Sequence, residues 1–232
     1  MSRTVGVIGG MGPAATVDFL HRLLAATPAE RDQDHLRVLV DNNPKLPNRN
    51  AAIAGAAPSP APELAAMARG LQAQGADFLV MPCNTAHAFA EAITDAVHIP
   101  LLSLIDAGAD AAAASASAAR SVGLLAADGC LDAGLYQDAL ASRGLTAVVL
   151  DRAERDRFMA TVYRIKAGDL GPQVRAEMQA LADRLGSRGA EVVLAACTEV
   201  PLVLGRGDTA LPLVDATDAL VARTVAYAVG PP

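Results

Sequence analysis

The 232-residue chain has 19 basic and 25 acidic side chains, a net charge of -6, 52% hydrophobic and 19% charged residues. That composition excludes a disordered polymer, and an acidic chain without a basic run is ill suited to the phosphates of a nucleic acid. Three widely spaced cysteines, an odd number, fit free thiols of a reducing cytoplasm better than a disulfide framework.

In chain order, Val5–Ile8 is the first apolar run, and Gly9-Gly10 cuts it too short for a signal core. It predicts a buried strand. Leu36–Val40, Phe78–Met81, Leu101–Leu104, Val122–Leu125, Thr146–Leu150, Val192–Ala195 and Leu211–Val214 predict further strands. Helical periodicity falls between most of them, at Ala14–Ala26, Glu63–Gln74, Ala107–Ala119, Leu135–Arg143, Gln173–Ser187 and Asp215–Ala228. The apolar stretch from Ile99 to Ala119 is interrupted by Asp106 and Asp110 and is read as a strand and a soluble helix, so no membrane span is expected. Asn42–Asn50 and Ala57–Pro62 are proline-bearing loops. The rhythm implies an α/β fold of mainly parallel sheets flanked by helices, with ligands expected at the loops that follow the strands.

An internal repeat divides this pattern in two. Glu63–Cys83 aligns without a gap on Glu177–Cys197, and seven of the twenty-one positions are identical, the two cysteines among them. Val5-Gly6-Val7-Ile8 echoes Val122-Gly123-Leu124-Leu125, and Pro100-Leu101 with Asp106-Ala107 echoes Pro212-Leu213 with Asp218-Ala219. The echoes keep their order, which predicts two pseudo-symmetric α/β domains with a cysteine ending the equivalent strand of each. Such a pair, facing one cleft from opposite sides, suits removal of a proton from one face of a carbon and delivery to the other.

Cys83 lies in Met81-Pro82-Cys83-Asn84-Thr85 and Cys197 in Ala196-Cys197-Thr198-Glu199. A thiol at a strand exit, near the N–H groups of a following helix, can serve as acid or base, whereas a lone cysteine is as often a core residue. Arg49, in the loop after the second strand, offers a planar fork for a carboxylate or lies solvated. Lys166, one of two lysines with Lys45, pairs with a second carboxylate or sits idle at a helix end. Gly10, Gly12 and Ala15 also satisfy the dinucleotide pattern, with Asp41 placed for a ribose, so a nucleotide-dependent oxidoreductase is the rival reading. His87 reads as a packing residue, and no spacing supports a metal site.

Together, Gly9-Gly10-Met11-Gly12-Pro13, Asn42-Asn43-Pro44 through Arg49, Met81 through His87, Tyr163 through Gly168 and Cys197-Thr198-Glu199 resemble the aspartate/glutamate racemase family, the aspartate racemases in particular, nearly end to end. The resemblance implies Cys83 and Cys197 as catalytic bases. Arg49 and Lys166 would hold substrate carboxylates, and Met11, Asn84, Thr85 and Thr198 would complete the substrate contacts. It further implies no pyridoxal phosphate, no other cofactor and no metal, a small amino acid as substrate, a homodimer, and two domains that exchange their last strand–helix units, 1–97 with 210–232 and 98–209. One loop departs from the pattern. Where the family shows Ala-Thr-x-Gly-Thr, this chain has Ala126-Ala127-Asp128-Gly129-Cys130, losing two hydroxyls and gaining a charge. A dicarboxylate tolerates that aspartate only if it points away or meets a cation, and Cys130 reads as a bystander. Glutamate or broad amino-acid specificity, and a non-catalytic binding protein, therefore stand beside aspartate as readings.

Overall fold

The computed structural model describes residues 2–115 and 120–230. Its eight described strands are β1 (Val5–Gly9), β2 (Val38–Asn42), β3 (Phe78–Val80), β4 (Leu101–Leu102), β5 (Ser121–Ala126), β6 (Thr146–Val148), β7 (Val192–Ala196) and β8 (Leu213–Asp215). The described helices are α1 (Pro13–Ala26), α2 (Arg49–Ile53), α3 (Ala61–Ala73), α4 (Ala90–Thr94), α5 (Leu104–Ser115), α6 (Asp128–Asp132), α7 (Leu135–Ala141), α8 (Arg152–Lys166), α9 (Pro172–Ser187) and α10 (Ala216–Val229). The predicted helix at 107–119 starts earlier than expected, and its residues 116–119 lie outside the described ones. No helix among the described residues is long and apolar enough to cross a membrane.

Two four-stranded parallel sheets result, ordered β2-β1-β3-β4 and β6-β5-β7-β8. Their registers reproduce the internal repeat independently of residue identity. Val5 pairs with Phe78 as Val122 pairs with Val192, and Leu79 pairs with Leu101 as Val193 pairs with Leu213. α3 and α9, the helices preceding the two cysteine strands, run into glycines at matched places, Gly75 and Gly189, with φ of 95° and 94°. Only glycine reverses the chain there without a Cβ penalty, so the next strand starts at the same point in both halves.

Two compact units follow, Met1–Leu104 with Thr217–Pro232, and Ile105–Ala216. The exchange expected from the resemblance is smaller than a strand plus a helix. β4 hydrogen-bonds to β3 and β8 to β7, so each last strand stays in its own sheet and only the helix after it changes unit. The unit junctions accordingly lie beyond 97 and 209, just after these strands. α10 is bound into the first unit through Arg3, which donates to the carbonyl of Tyr227 and covers its ring at 4.7 Å. Phe78 meets the same ring edge-on at 4.9 Å, and Arg22 pairs with Asp218 at 2.6 Å. α5 is bound into the second unit through Arg143, which pairs with Asp110 at 2.6 Å and Asp106 at 3.2 Å.

The first unit's core joins Ile8, Met11, Leu46, Leu64, Leu79 and Cys83, and the second's joins Leu125, Phe158, Val162, Leu181, Val193 and Cys197. α8, absent from the sequence reading, begins with a capping box. Asp151 accepts from the Glu154 N–H at 2.9 Å, and Glu154 accepts from the Asp151 N–H at 3.0 Å. Arg184 and Arg188 also bind the Glu154 carboxylate, at 2.7 and 2.9 Å. The Arg184 bond foremost, then the Asp151 N–H, lower its pKa to about 2 from 4.5. A carboxylate with a depressed folded pKa stabilises fully above 4.5, and that contribution is lost as pH falls through about 2. In urea titrations across this window, Glu154→Gln is expected to flatten the decline of stability with acid, and an unchanged slope would exclude the anchor.

Candidate active site

In the first unit the chain leaves β3 through Met81-Pro82 and turns at once, the Cys83 N–H donating to the Met81 carbonyl at 2.8 Å. Cys83, Asn84 and Thr85 are buried. His87, also buried, fixes this turn from behind: its Nδ1 lies 2.9 Å from the Cys83 carbonyl, and its Nε2 lies 3.0 Å from the Leu104 N–H. A backbone N–H only donates, so Nε2 is the bare nitrogen and Nδ1–H donates to Cys83. His87 is thus more than packing. It ties the cysteine's backbone to the start of α5, where N–H groups have no helical partner.

Met11 is buried in the same apolar cluster as Cys83 and Leu46, so the glycine turn, the loop after β2 and the cysteine turn converge there. Leu46 anchors the loop, and Asn48 caps α2 by accepting from the Ala51 N–H at 3.1 Å. Arg49 is the first residue of α2. Its half-buried guanidinium donates to the Pro47 carbonyl at 2.9 Å and to Leu46 at 3.5 Å. Among the described residues no carboxylate pairs with it. Gly10 is explained without a nucleotide. Its N–H donates to Thr16 Oγ1 at 2.9 Å, and a Cβ there would lie 2.4 Å from the Asn43 backbone.

In the second unit Cys197 directly follows β7, and Cys197, Thr198 and Glu199 are all buried. The Cys197 thiol donates to Glu199 Oε2 at 3.1 Å, and Thr198 Oγ1 donates to the same oxygen at 3.4 Å. Lys166, the last residue of α8, forms an ion pair with Glu199 Oε1. The expected carboxylate partner of Lys166 is therefore, in this structure, one supplied by the chain itself. Burial pushes the Cys197 thiol well above its ordinary range, and the Glu199 charge pushes it further, with Lys166 opposing. The sequence reading assigned Glu199 no role; its signal was the carboxylate two places after the cysteine.

The departing loop after β5 brings its own remedy. Arg155 of α8 binds Asp128 at 2.7 Å and Asp132 at 2.6 Å, so the added charge meets a cation. Cys130 is fully buried. Beside it Tyr136 is also fully buried, and burial chiefly, then the charges of Cys130, Asp215, Asp106 and Cys197, raise its pKa well above the ordinary value. The pairing of Ala126 with Ala196 and of Ala195 with Asp215 explains why these residues gather at one end of the sheet.

Twin parallel sheets, each delivering a buried cysteine at the equivalent register position, define the class. The chain belongs to the Asp/Glu/Hydantoin racemase family, whose model matches residues 8–224. It is similar to the Picrophilus torridus aspartate racemase, with 30% identity and a TM-score of 0.86, covering 97% of this chain and 94% of that one. The broad specificity amino-acid racemase RacX of Bacillus subtilis (strain 168) is 24% identical over 239 residues, covering 95% of this chain and 96% of RacX. A glutamate racemase of Pseudomonas aeruginosa is 35% identical over 139 residues, covering 56% of this chain and 48% of that protein.

Proposed function

We propose that this racemase interconverts L- and D-aspartate without a cofactor, using Cys83 and Cys197 as the two bases, one for each face of Cα. The observation that carries this reading is the recurrence of a buried cysteine beyond β3 and β7, at the same spacing from Phe78 and Val192, which pair in matched register with β1 and β5. Removing a Cα proton and returning one to the opposite face requires two groups that each act as acid in one direction and base in the other, and a thiol can do both. Arg49, which has no acidic partner of its own among the described residues, grips a substrate carboxylate through its planar fork. Asn84, Thr85 and Thr198 add hydrogen bonds, and Met11, buried in the same cluster as Cys83, contacts the substrate. Without a cofactor to delocalise charge, the carbanionic intermediate is stabilised by fixed donors in a water-poor setting.

The similarity to an aspartate racemase over nearly the whole chain supports the substrate, and the Arg155–Asp128 pair removes the electrostatic objection to a dicarboxylate. The test is incubation of each L-amino acid of a panel in D2O with chiral chromatography. L-aspartate is expected to yield D-aspartate deuterated at Cα, and a panel without any inversion would refute the reading. A second reading, broad specificity, is favoured by the loss of two hydroxyls at Ala127 and Cys130 and by the similarity to RacX. Comparable rates for neutral amino acids in the same panel would select it.

A further inference from the structure

The two thiols are held differently. Among the described residues Sγ of Cys83 makes no hydrogen bond, and the His87 ring binds the Cys83 carbonyl. Sγ of Cys197 instead donates to a buried carboxylate that is itself clamped by a lysine. We propose that Glu199, held by Lys166, is the proton acceptor of the Cys197 thiol, so that Cys197 becomes a thiolate by lending its proton to a neighbour and Cys83 by losing its proton to solvent. This rests on the reading of Cys197 as one of the two bases.

Charge accounting favours the relay. With Glu199 ionised, loss of the Cys197 proton to solvent would place a second negative charge beside the first in a buried setting, which is costly. The other groups gathered there offer no help. Tyr136 of α7 and Cys130 of α6 are neutral when protonated, while Asp215 of β8 and Asp106 of α5 add negative charge around Tyr136. Lys166 is the cation that acts on Cys197. Transfer within the pair changes no net charge. The S–H bond breaks, its electron pair stays on sulfur, and the proton passes along the existing hydrogen bond, whose Sγ and Oε2 lie 3.1 Å apart, leaving one negative charge opposite Lys166 throughout. The thiolate then takes the Cα proton and is again a thiol, while Cys83 gives its proton to the opposite face and is left as thiolate. The proton parked on Glu199 returns to Cys83 through solvent. In the reverse direction Cys83 thiolate removes the Cα proton and Cys197 donates.

The equilibrium constant between enantiomers is unity, so any variant must lower kcat/KM equally for both substrates. Glu199→Gln is expected to lower both by about 100-fold or more, the range of a lost acid–base group, with activity recovering at high pH as solvent takes over. Glu199→Asp should restore part of the loss at neutral pH. The readout that a structural role would not move is thiol titration, measured by iodoacetamide labelling against pH with peptide mass spectrometry. In Glu199→Gln the Cys197 midpoint should fall toward about 8.5, the value of a free thiol, and in Lys166→Met it should rise, while Cys83 stays unchanged in both. A Glu199→Gln protein, folded by circular dichroism, with kcat/KM within twofold of wild type or an unmoved Cys197 midpoint overturns the relay. Should Glu199→Gln not fold, an unmoved midpoint in Lys166→Met overturns it instead. Failure of the wild type to invert any amino acid defeats the racemase reading separately, because the labelling profiles still report whether the Glu199 carboxylate acts on the Cys197 thiol.

Discussion

Cys83→Ala and Cys197→Ala, each alone, are expected to lower racemisation of aspartate by at least about 1000-fold, a loss of roughly 4 kcal/mol of transition-state stabilisation. Alanine fills most of the thiol's buried space and carries no proton, so the fold should survive while one face of Cα loses its acid and base. The two variants differ in what they retain. Each keeps one thiol, which can still remove and return a proton on its own side. Cα exchange with D2O should therefore persist without inversion, for one enantiomer in Cys83→Ala and for the opposite one in Cys197→Ala. Proton NMR of the Cα signal of L- and D-aspartate reads this directly. A single variant that racemises at the wild-type rate would remove the two-base scheme.

Gly10→Ala is expected to have the largest effect on stability among single methyl additions. The residue sits at φ 95°, a conformation that costs an L side chain, and the new Cβ would meet three backbone atoms of Asn43 at 2.4 to 2.6 Å. Backbone cannot swing aside as a side chain can. The combined strain and overpacking amount to about 3 kcal/mol or more, or a fall of roughly 6–12 °C in Tm for a chain of this size. Asn43 opens the loop that ends at Arg49, and its N–H donates to the Gly9 carbonyl at 3.3 Å. Whatever relieves the clash pushes that loop, so KM for aspartate should rise more than kcat falls. Calorimetry and steady-state kinetics on one preparation check both parts, and a Tm within 2 °C of wild type would contradict the packing argument.

Most of the sheet framework was legible because each strand is a short apolar run bracketed by glycine, proline or charge, and all eight predicted runs overlap a strand. Their ends were less so. Leu104 looks like strand by composition yet starts α5, its N–H taken by His87. α8 went unread because charged residues such as Arg152, Glu154, Arg155, Asp156 and Arg157 crowd its first turns. Its buried face, Phe158, Met159, Val162 and Ile165, keeps helical spacing, and Asp151 with Glu154 forms a capping box that could have revealed the start. The cysteines were legible through the repeat. The partner of Lys166 was not, since 33 residues separate it from Glu199 and no local pattern records which carboxylate a side chain will reach. The Arg155–Asp128 pair, 27 residues apart, was hidden for the same reason.

The exchange of α5 and α10 also sets an order of assembly during synthesis. The unit from 105 to 216 is one continuous stretch, complete as soon as β8 has emerged from the ribosome. The other unit begins the chain but lacks the helix that covers Phe78 and Arg3 until Val229 has been made. The half encoded second is thus the first able to finish folding, and the nascent β1–β4 sheet must wait, Phe78 without its aromatic neighbour, for α10 to arrive.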